Sequence, residues 1–163
     1  MSAKNLSTKS LKLVPQTLEE VRAMVEAMNP SERALLSADW LARLHNSTSA
    51  DLWTHGFSIL DRDTDIEVGK AGFKGPPTAD GMVEIAYTIL PDFQGRGFAT
   101  EAAQALVAFA FSSGKVRVVR AHTLPEANAS TRVLAKCGFQ HLGEVIDPED
   151  GLVWRWEKCN LEG

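Results

Sequence analysis

A glycine-rich stretch, "QGRGFA", runs from Gln94 to Ala99, between an alternating strand pattern and an apolar helical pattern. Glycine in such a turn lets a ligand approach the backbone closely. The first amides of the following helix have no intrahelical partners, and the helix dipole adds partial positive charge there. Arg96 adds a side chain able to form a charge-assisted contact. The pattern predicts an anion-binding loop, although a tight turn that needs glycine only for its backbone angles has the same residues.

Sequence motifs restrict which phosphate-containing ligands such a loop could bind. The stretch is not a Walker loop, because no Gly-Lys-Ser/Thr follows the glycines. The dinucleotide fingerprint is incomplete, because Thr100 stands where the third glycine belongs. The next strand, "VVRAHTL", also lacks the acidic residue that would hold a ribose. Neither nucleotide motif therefore accounts for the loop.

The elements around the loop follow from periodicity. The stretch "MVEIAYTIL" before it alternates, with Glu84 and Thr88 on one face and Tyr87 among apolar residues on the other. An apolar helix follows the loop and ends near Gly114. A strand, "VRVVRAHTL", and a short helix, "NASTRVLAKCGF", come next, with Asn128 as the predicted N-cap.

The remaining chain completes one domain, residues 1–163, with a flexible tail expected over residues 1–10. Two amphipathic helices are predicted before residue 53, where "WTHGFSIL" begins a strand pattern, and the chain closes on a hairpin. The order β, α, α, β, β, β, α, β, α, β, β indicates an α/β fold of the α+β kind. Its sheet is expected to be mixed, mainly antiparallel and flanked by helices.

Composition excludes several function classes. The net charge is −4 with no long basic run, which argues against a general nucleic-acid or anionic-membrane surface. No stretch approaches a membrane span, and the N-terminus lacks the apolar core of a secretory signal, so a cytoplasmic location is expected. The two cysteines have no metal-ligand spacing. We expect no metal, no nucleic acid and no membrane among the partners, and a monomer or homodimer.

Two motifs together resemble a known family. "QGRGFA" resembles the Gln/Arg-x-x-Gly-x-Gly/Ala loop of the GNAT superfamily of acetyl-CoA-dependent N-acetyltransferases, and "NASTRVLAKCGF" resembles its N-x-x-S-x-x-x-L-x-K-x-G-F segment. The second motif is closest to the ribosomal-protein N-terminal (RimJ/RimL-like) branch. The resemblance covers roughly residues 82 to 157. It implies a GNAT-like fold in which two strands splay apart to form the acyl-CoA cleft.

The resemblance also implies where acetyl-CoA binds. Its pyrophosphate is expected at the glycine loop, and its pantetheine arm beside the strand that leads into the loop. A backbone N–H near Ile89 is expected to stabilise the oxyanion of a tetrahedral intermediate. Asn128 resembles the residue that binds the arm, or is simply an N-cap. The implied cofactor-binding residues are Thr88, Ile89, Leu90, Gln94, Gly95, Arg96, Gly97, Phe98, Ala99, Thr100 and Asn128.

Three residues are implied to carry the chemistry. Glu84 matches a position where glutamate acts as base, and His122 is the alternative. Ser130 is expected to support the departing thiolate, because Leu134 stands where many family members have an acidic tyrosine. Each has a structural alternative: an ion-paired strand glutamate, a packed histidine and a serine that starts a helix.

Two functions follow as hypotheses. The first is an N-acetyltransferase that transfers acetyl from acetyl-CoA, with no metal, to a primary amine by direct attack. The acceptor is a peptide N-terminus or a small amine, and the acidic run "DPED" would favour a cationic one. The second is a non-catalytic acyl-CoA-binding regulatory module, which would not need Glu84, His122 or Ser130.

Overall fold

The computed structural model describes residues 5–36, 38–46 and 52–160. Within these residues the chain forms eight strands and six helices, and a short 3-10 turn spans Pro91–Phe93. The first half contains β1 (Leu6–Ser7), β2 (Leu11–Pro15), α1 (Leu18–Ala27), α2 (Pro30–Arg33), α3 (Ala38–Asn46), α4 (Leu52–His55), β3 (Phe57–Asp61) and β4 (Glu67–Phe73). The second half contains β5 (Met82–Ile89), α5 (Phe98–Ser112), β6 (Val118–Thr123), α6 (Ala129–Lys136), β7 (Gln140–Asp147) and β8 (Gly151–Cys159).

The strands form one sheet in the order β1-β2-β3-β4-β5-β6-β8-β7. Every neighbouring pair is antiparallel except β5 and β6, which are parallel. The crossover between those two strands is α5, whose buried residues include Ala102, Leu106 and Ala110. The mixed, mainly antiparallel sheet predicted from the sequence is confirmed.

The parallel pair separates partway along its length. β5 pairs with β6 only over Met82–Glu84, opposite Val118–Arg120. Beyond Glu84, β5 remains paired with β4 as far as Ile89, and β6 remains paired with β8, where His122 lies opposite Arg155. A gap therefore opens in the sheet at Glu84 and His122. The splayed strands expected from the resemblance are present.

Local sequence signals set the helix boundaries around this gap. α5 begins after Gly97 (φ +83°) and is followed by Gly114 (φ +75°), backbone angles that favour glycine. At α6, Asn128 Oδ1 accepts a hydrogen bond from the Thr131 amide, and Thr131 Oγ1 accepts one from the Asn128 amide. Both helices start where the sequence predicts.

The N-terminal half departs from the predictions at three places. Within residues 5–10 the expected flexible tail is instead partly a strand, because β1 pairs with β2, and Thr8 and Ser10 bond to the Glu101 carboxylate. The strand predicted from residue 53 starts later, since α4 occupies residues 52–55 and Gly56 (φ +66°) ends it. The second predicted helix is two helices, α2 and α3. Residues 1–4 lie outside the described residues.

The described helices include none that is long and apolar enough to cross a bilayer.

Candidate functional site

Two cavities meet at the gap between β5 and β6. The larger, about 450 Å³, runs from the end of β5 over the glycine loop to the start of α6. The smaller, about 180 Å³, lies among β5, β6 and the turn between β7 and β8. Tyr87 and Ser130 line both cavities, so the two spaces adjoin at these side chains.

The glycine loop forms one wall of the larger cavity. Gly95 and Gly97 both have positive φ, and a Cβ built on either would have no atom within 4 Å. Gly97 is the N-cap of α5 and supplies no side-chain cap, so the first amides of this 15-residue helix are left for a ligand. Gln94 ties the loop to the strand, because its Nε2 donates to the Ile89 carbonyl at 2.9 Å.

Most of the predicted cofactor-binding residues line this cavity. They are Thr88, Ile89, Gln94, Gly95, Gly97, Phe98, Ala99 and Thr100. Three predicted residues are not among its lining. Leu90 donates its amide to Val68 in β4, Arg96 lies over the Phe93 ring, and the side chain of Asn128 caps α6. Of the two roles considered for Asn128, the structure shows the cap.

Two cations of this wall were not predicted from the sequence. Arg132 and Lys136 of α6 both line the larger cavity. They are four residues apart and therefore lie on one face of the helix. That spacing was visible in the sequence, whereas the direction of the face depends on how α6 packs through the buried Leu134 and Cys137.

The three predicted catalytic residues come together at the smaller cavity. Glu84, His122 and Ser130 all line it. Glu84 Oε2 lies 2.8 Å from Lys74 Nζ and 3.3 Å from His122 Nδ1. The Ser130 side chain makes no hydrogen bond within the described residues, so its hydroxyl is available to a ligand.

Two further ionised groups complete this cluster. Lys74 Nζ donates a hydrogen bond to Asp150 Oδ2 at 2.6 Å as well as contacting Glu84. Burial opposes the charged form, but the interactions with Asp150 and Glu84 outweigh it and raise the pKa of Lys74. The register explains the position, since the Lys74 amide donates to the Glu84 carbonyl across β4 and β5. Sequence alone does not give that register, so Lys74 was not predicted.

Asp147 lies at the rim of the same cluster, on the turn read as "DPED". Burial opposes its ionisation, but hydrogen bonds from the Asp150 and Glu149 amides, with the Lys74 ammonium nearby, lower the pKa of Asp147. Asp147 Oδ1 lies 4.0 Å and Asp150 Oδ2 lies 3.6 Å from His122 Nδ1. The turn therefore brings Asp150 to the lining of the smaller cavity and Asp147 to within 4.0 Å of His122.

The protonation pattern of His122 follows from its partner on β8. Arg155 Nε donates to His122 Nε2 at 3.1 Å. Because a guanidinium only donates, Nε2 must carry the lone pair and the neutral ring bears its proton on Nδ1. The side chain of His122 is 4% exposed. The Nδ1–H is buried, lies within 4.0 Å of three carboxylate oxygens and has no hydrogen-bond partner among the described residues. The basic nitrogen of His122, Nε2, therefore already accepts a hydrogen bond from Arg155.

Three side chains with metal-ligand chemistry also meet here. Glu84, His122 and Asp150 offer ligand atoms within 4.8 Å of one another, which their wide separation in sequence concealed. The Lys74 ammonium already pairs with two of these residues, Glu84 and Asp150. With its proton on Nδ1, His122 has no lone pair on that nitrogen to offer a metal. The expectation of no metal requirement stays a prediction.

Tyr87 belongs both to the packed core and to the walls of the two cavities. It packs against the core, as expected from its face of the strand, and also lines both cavities. Burial, with the Cys137 thiol nearby, raises its pKa, so the phenol stays protonated.

Comparisons with known proteins agree with this geometry. A family model described as an acetyltransferase (GNAT) domain matches residues 8–140. A protein of Bacillus licheniformis, described as an uncharacterized N-acetyltransferase, p20, is 31% identical over 109 residues, 67% of this chain and 61% of that protein. The chain thus matches less than two thirds of the length of this relative.

Solved structures show the same fold over nearly the whole chain. A putative GNAT-family acetyltransferase from Bordetella pertussis has a TM-score of 0.68 and 25% identity, covering 96% of this chain and 100% of that one. RimL, a ribosomal L7/L12 alpha-N-protein acetyltransferase solved in complex with coenzyme A, has a TM-score of 0.69 and 16% identity, covering 96% and 98%. The family model, the relative and the fold agree, and this chain belongs to the GNAT family of acetyltransferases.

Proposed function

We propose that the protein transfers an acetyl group from acetyl-CoA to a primary amine. One observation carries the proposal: the cavity of the glycine loop and the cavity of Glu84 adjoin at Ser130 and Tyr87. The first cavity suits the thioester donor, and the second suits an amine beside a carboxylate. Relatives described as N-acetyltransferases and a structural neighbour solved with coenzyme A support the same function.

The larger cavity suits the parts of acetyl-CoA in order. The pyrophosphate fits the amides at the start of α5, with Arg132 and Lys136 supplying positive charge opposite. The pantetheine arm is amide-like and pairs with strand backbone. Thr88 and Ile89 line this part of the cavity, where β5 has lost β6 as a neighbour.

Backbone alternation indicates which amides meet the thioester. The Glu84 carbonyl bonds to Lys74, just beyond β4, and the Leu90 amide bonds to Val68 in β4. Because successive peptide groups of a strand point to opposite sides, the Tyr87 and Ile89 amides point into the gap. An N–H aimed at the thioester carbonyl would stabilise the oxyanion of the tetrahedral intermediate.

The proposed reaction needs one base and one proton donor. Glu84 takes a proton from the incoming ammonium, and the neutral nitrogen attacks the thioester carbonyl carbon. The carbon–sulfur bond of the tetrahedral intermediate then breaks, and Ser130 supports the leaving thiolate with its hydroxyl. In this scheme His122 is not the base, because the lone pair on its Nε2 accepts the hydrogen bond from Arg155.

The proposal also covers the class of acceptor, the location of the protein and its oligomeric state. The smaller cavity is acidic, which favours a cationic amine, either a peptide N-terminus or a small molecule. We propose a cytoplasmic monomer or homodimer that needs neither a metal, a nucleic acid nor a membrane.

A panel of small amines and short peptides, scored by release of the free thiol of CoA, tests this function. The proposal expects amine-dependent release well above hydrolysis. The alternative, a non-catalytic acyl-CoA-binding module, predicts tight acetyl-CoA binding with no release for any amine.

A further inference from the structure

A lysine ammonium occupies the place where an acceptor ammonium would have to bind. Lys74 Nζ lies 2.8 Å from Glu84 Oε2 and 2.6 Å from Asp150 Oδ2. The side chains of Lys74 and Asp150 are 35% and 34% exposed, while that of Glu84 is 15% exposed. Lys74 therefore reaches into the cavity from its mouth and can withdraw to solvent without disturbing the core.

Lys74 balances charge at this site but leaves two buried polar atoms without hydrogen bonds. Despite the short contact, Glu84 Oε2 has no well-directed hydrogen bond among the described residues, and neither has the buried Nδ1–H of His122. Unsatisfied buried polar atoms are uncommon in proteins, and a water, an ion or a catalytic role usually accounts for them. The inner end of the cavity is therefore incompletely filled by the side chain that occupies it.

Carboxylates also outnumber cations at this cavity. Glu84, Asp147 and Asp150 each have an oxygen within 4.0 Å of His122 Nδ1. Within the described ranges, Lys74 supplies the ion-pairing ammonium for two of them, and the Arg155 guanidinium donates to the other nitrogen of the histidine ring. Three carboxylates thus outnumber the two cations around His122, and an acceptor that brings positive charge would be favoured.

The chemistry of transfer sharpens this requirement. The reacting ammonium gives its proton to Glu84 before it attacks, which neutralises both groups. A singly charged acceptor then supplies no cation to Asp147 and Asp150. A second ammonium on the same acceptor keeps its charge and continues to pair with Asp147 and Asp150. The resident group is itself an unbranched alkylammonium, which shows the shape that the cavity admits.

We propose that the acceptor is an unbranched aliphatic diamine whose reacting ammonium displaces Lys74 from Glu84, while its second ammonium pairs with Asp147 and Asp150. This inference rests on the proposed acetyltransferase function. It adds that Lys74 is an internal competitor of the acceptor, released only when a better-matched ammonium enters.

Two amines of equal length test the second charge. The probes are 1,5-diaminopentane and 5-amino-1-pentanol, which differ by one ammonium. We expect kcat/KM to be about tenfold higher for the diamine at low ionic strength, and the ratio to shrink as salt screens the carboxylates. Equal kcat/KM values for the two probes at low salt would overturn the proposal.

Variants of the two partners test the displacement. Lys74→Met removes the competitor and should lower KM for the diamine about fivefold, because a site closed most of the time weakens apparent affinity by that fraction. Asp150→Asn removes a carboxylate and should raise KM. General damage to the site would raise both values, so opposite shifts are diagnostic.

Lys12→Met is the matched control, since Lys12 is 32% exposed and forms one surface ion pair, with Asp65. It should leave KM unchanged. If Lys74→Met does not fold, Lys74→Gln replaces it. A KM that is unchanged or raised in the folded Lys74 variant contradicts displacement.

Binding separates this inference from the proposed function. Diamine affinity for the CoA-bound protein, measured by calorimetry, should be tighter in Lys74→Met than in the wild type. If it is, and no amine releases thiol, the transferase proposal fails while the diamine site stands. If amines are acetylated without preference for a second charge, the function stands and the inference fails.

Discussion

Glu84 is the residue on which the proposed proton transfer depends. Its carboxylate meets an ammonium on one side and a histidine N–H on the other, and it lines the cavity next to Ser130. A carboxylate in this position can accept the proton of a second ammonium, such as that of an acceptor. Its neighbours hold it in place, which is the usual condition for an effective general base.

Replacing Glu84 by glutamine keeps the shape and removes the basicity. We expect turnover to fall about 10²- to 10⁴-fold near neutral pH. The loss should shrink as pH rises, because free amines with pKa values of about 8 to 10.4 then deprotonate unaided. The measurement is a pH–rate profile beside Glu67→Gln, an exposed glutamate of β4. A wild-type profile at full speed for Glu84→Gln would remove Glu84 as the base.

Ser130 lies where the two cavities adjoin, whereas Asn128 and Thr131 form the cap of α6. Ser130→Ala should therefore lower turnover with little pH dependence and leave thermal stability and acetyl-CoA affinity nearly intact. Asn128→Ala is the contrasting variant and should cost about 1 kcal/mol of unfolding free energy. A Ser130→Ala protein that loses stability but keeps full turnover would mean that the serine only helps to start the helix.

Arg155 acts through His122 and is a positioning residue. Arg155→Met should free Nε2, so that the imidazole no longer holds its proton on Nδ1 alone. The ¹⁵N chemical shifts of His122 should move from the pure Nδ1–H pattern toward a mixture, and turnover should fall. Arg155→Lys, which restores a donor, should recover part of both. Unchanged ¹⁵N shifts in Arg155→Met would contradict the assigned hydrogen bond. The control is Arg120→Met, on the neighbouring strand β6.

At the scale of elements, the turn between β5 and α5 is the predicted phosphate site. Gly97→Asp places a carboxylate where the pyrophosphate should lie and should weaken acetyl-CoA binding at least tenfold. Gly114→Asp is a matched control, because Gly114 also flanks α5, has a similar positive φ and equally open surroundings. Both variants carry the same backbone strain, so a loss of affinity confined to Gly97→Asp, measured by calorimetry, identifies the site. Equal affinity in the two folded variants would contradict it.

The sequence predicted the elements around the site better than those of the N-terminal half. The alternation in β5, the glycines beside α5 and the Asn128 cap are local signals, and each gave its element correctly. The division between α2 and α3 and the short α4 depend on tertiary packing. Trp40, for example, packs against the cluster that α1 forms with Leu44. Propensity alone does not resolve such short segments.

Two residues of the candidate site could not be predicted from local sequence patterns. Glu84, His122 and Ser130 could be named from motifs, but Lys74 and Arg155 are cross-strand partners of Glu84 and His122. A cross-strand pair becomes visible only when the register is known, because a shift of one residue exchanges the faces of a strand.

At the scale of the whole molecule, the splayed parallel pair joins the two halves of the proposed reaction. β5 carries Glu84 and the amides that face the gap, and Lys74 follows directly after β4. β6 and β8 carry His122 and Arg155. Donor and acceptor would therefore enter from different cavities and meet at one point. Such an arrangement needs no acetylated intermediate of the protein.

Transfer of a labelled acetyl group tests this account most directly. The protein is incubated with [1-¹³C]acetyl-CoA, first alone and then with an aliphatic primary amine, and the products are followed by mass spectrometry together with free thiol. We predict that the protein stays unlabelled without amine, and that labelled N-acetylamine and thiol then appear in equal amounts. Label retained covalently on the protein, or tight acetyl-CoA binding with no labelled amine, would contradict direct transfer between the two cavities.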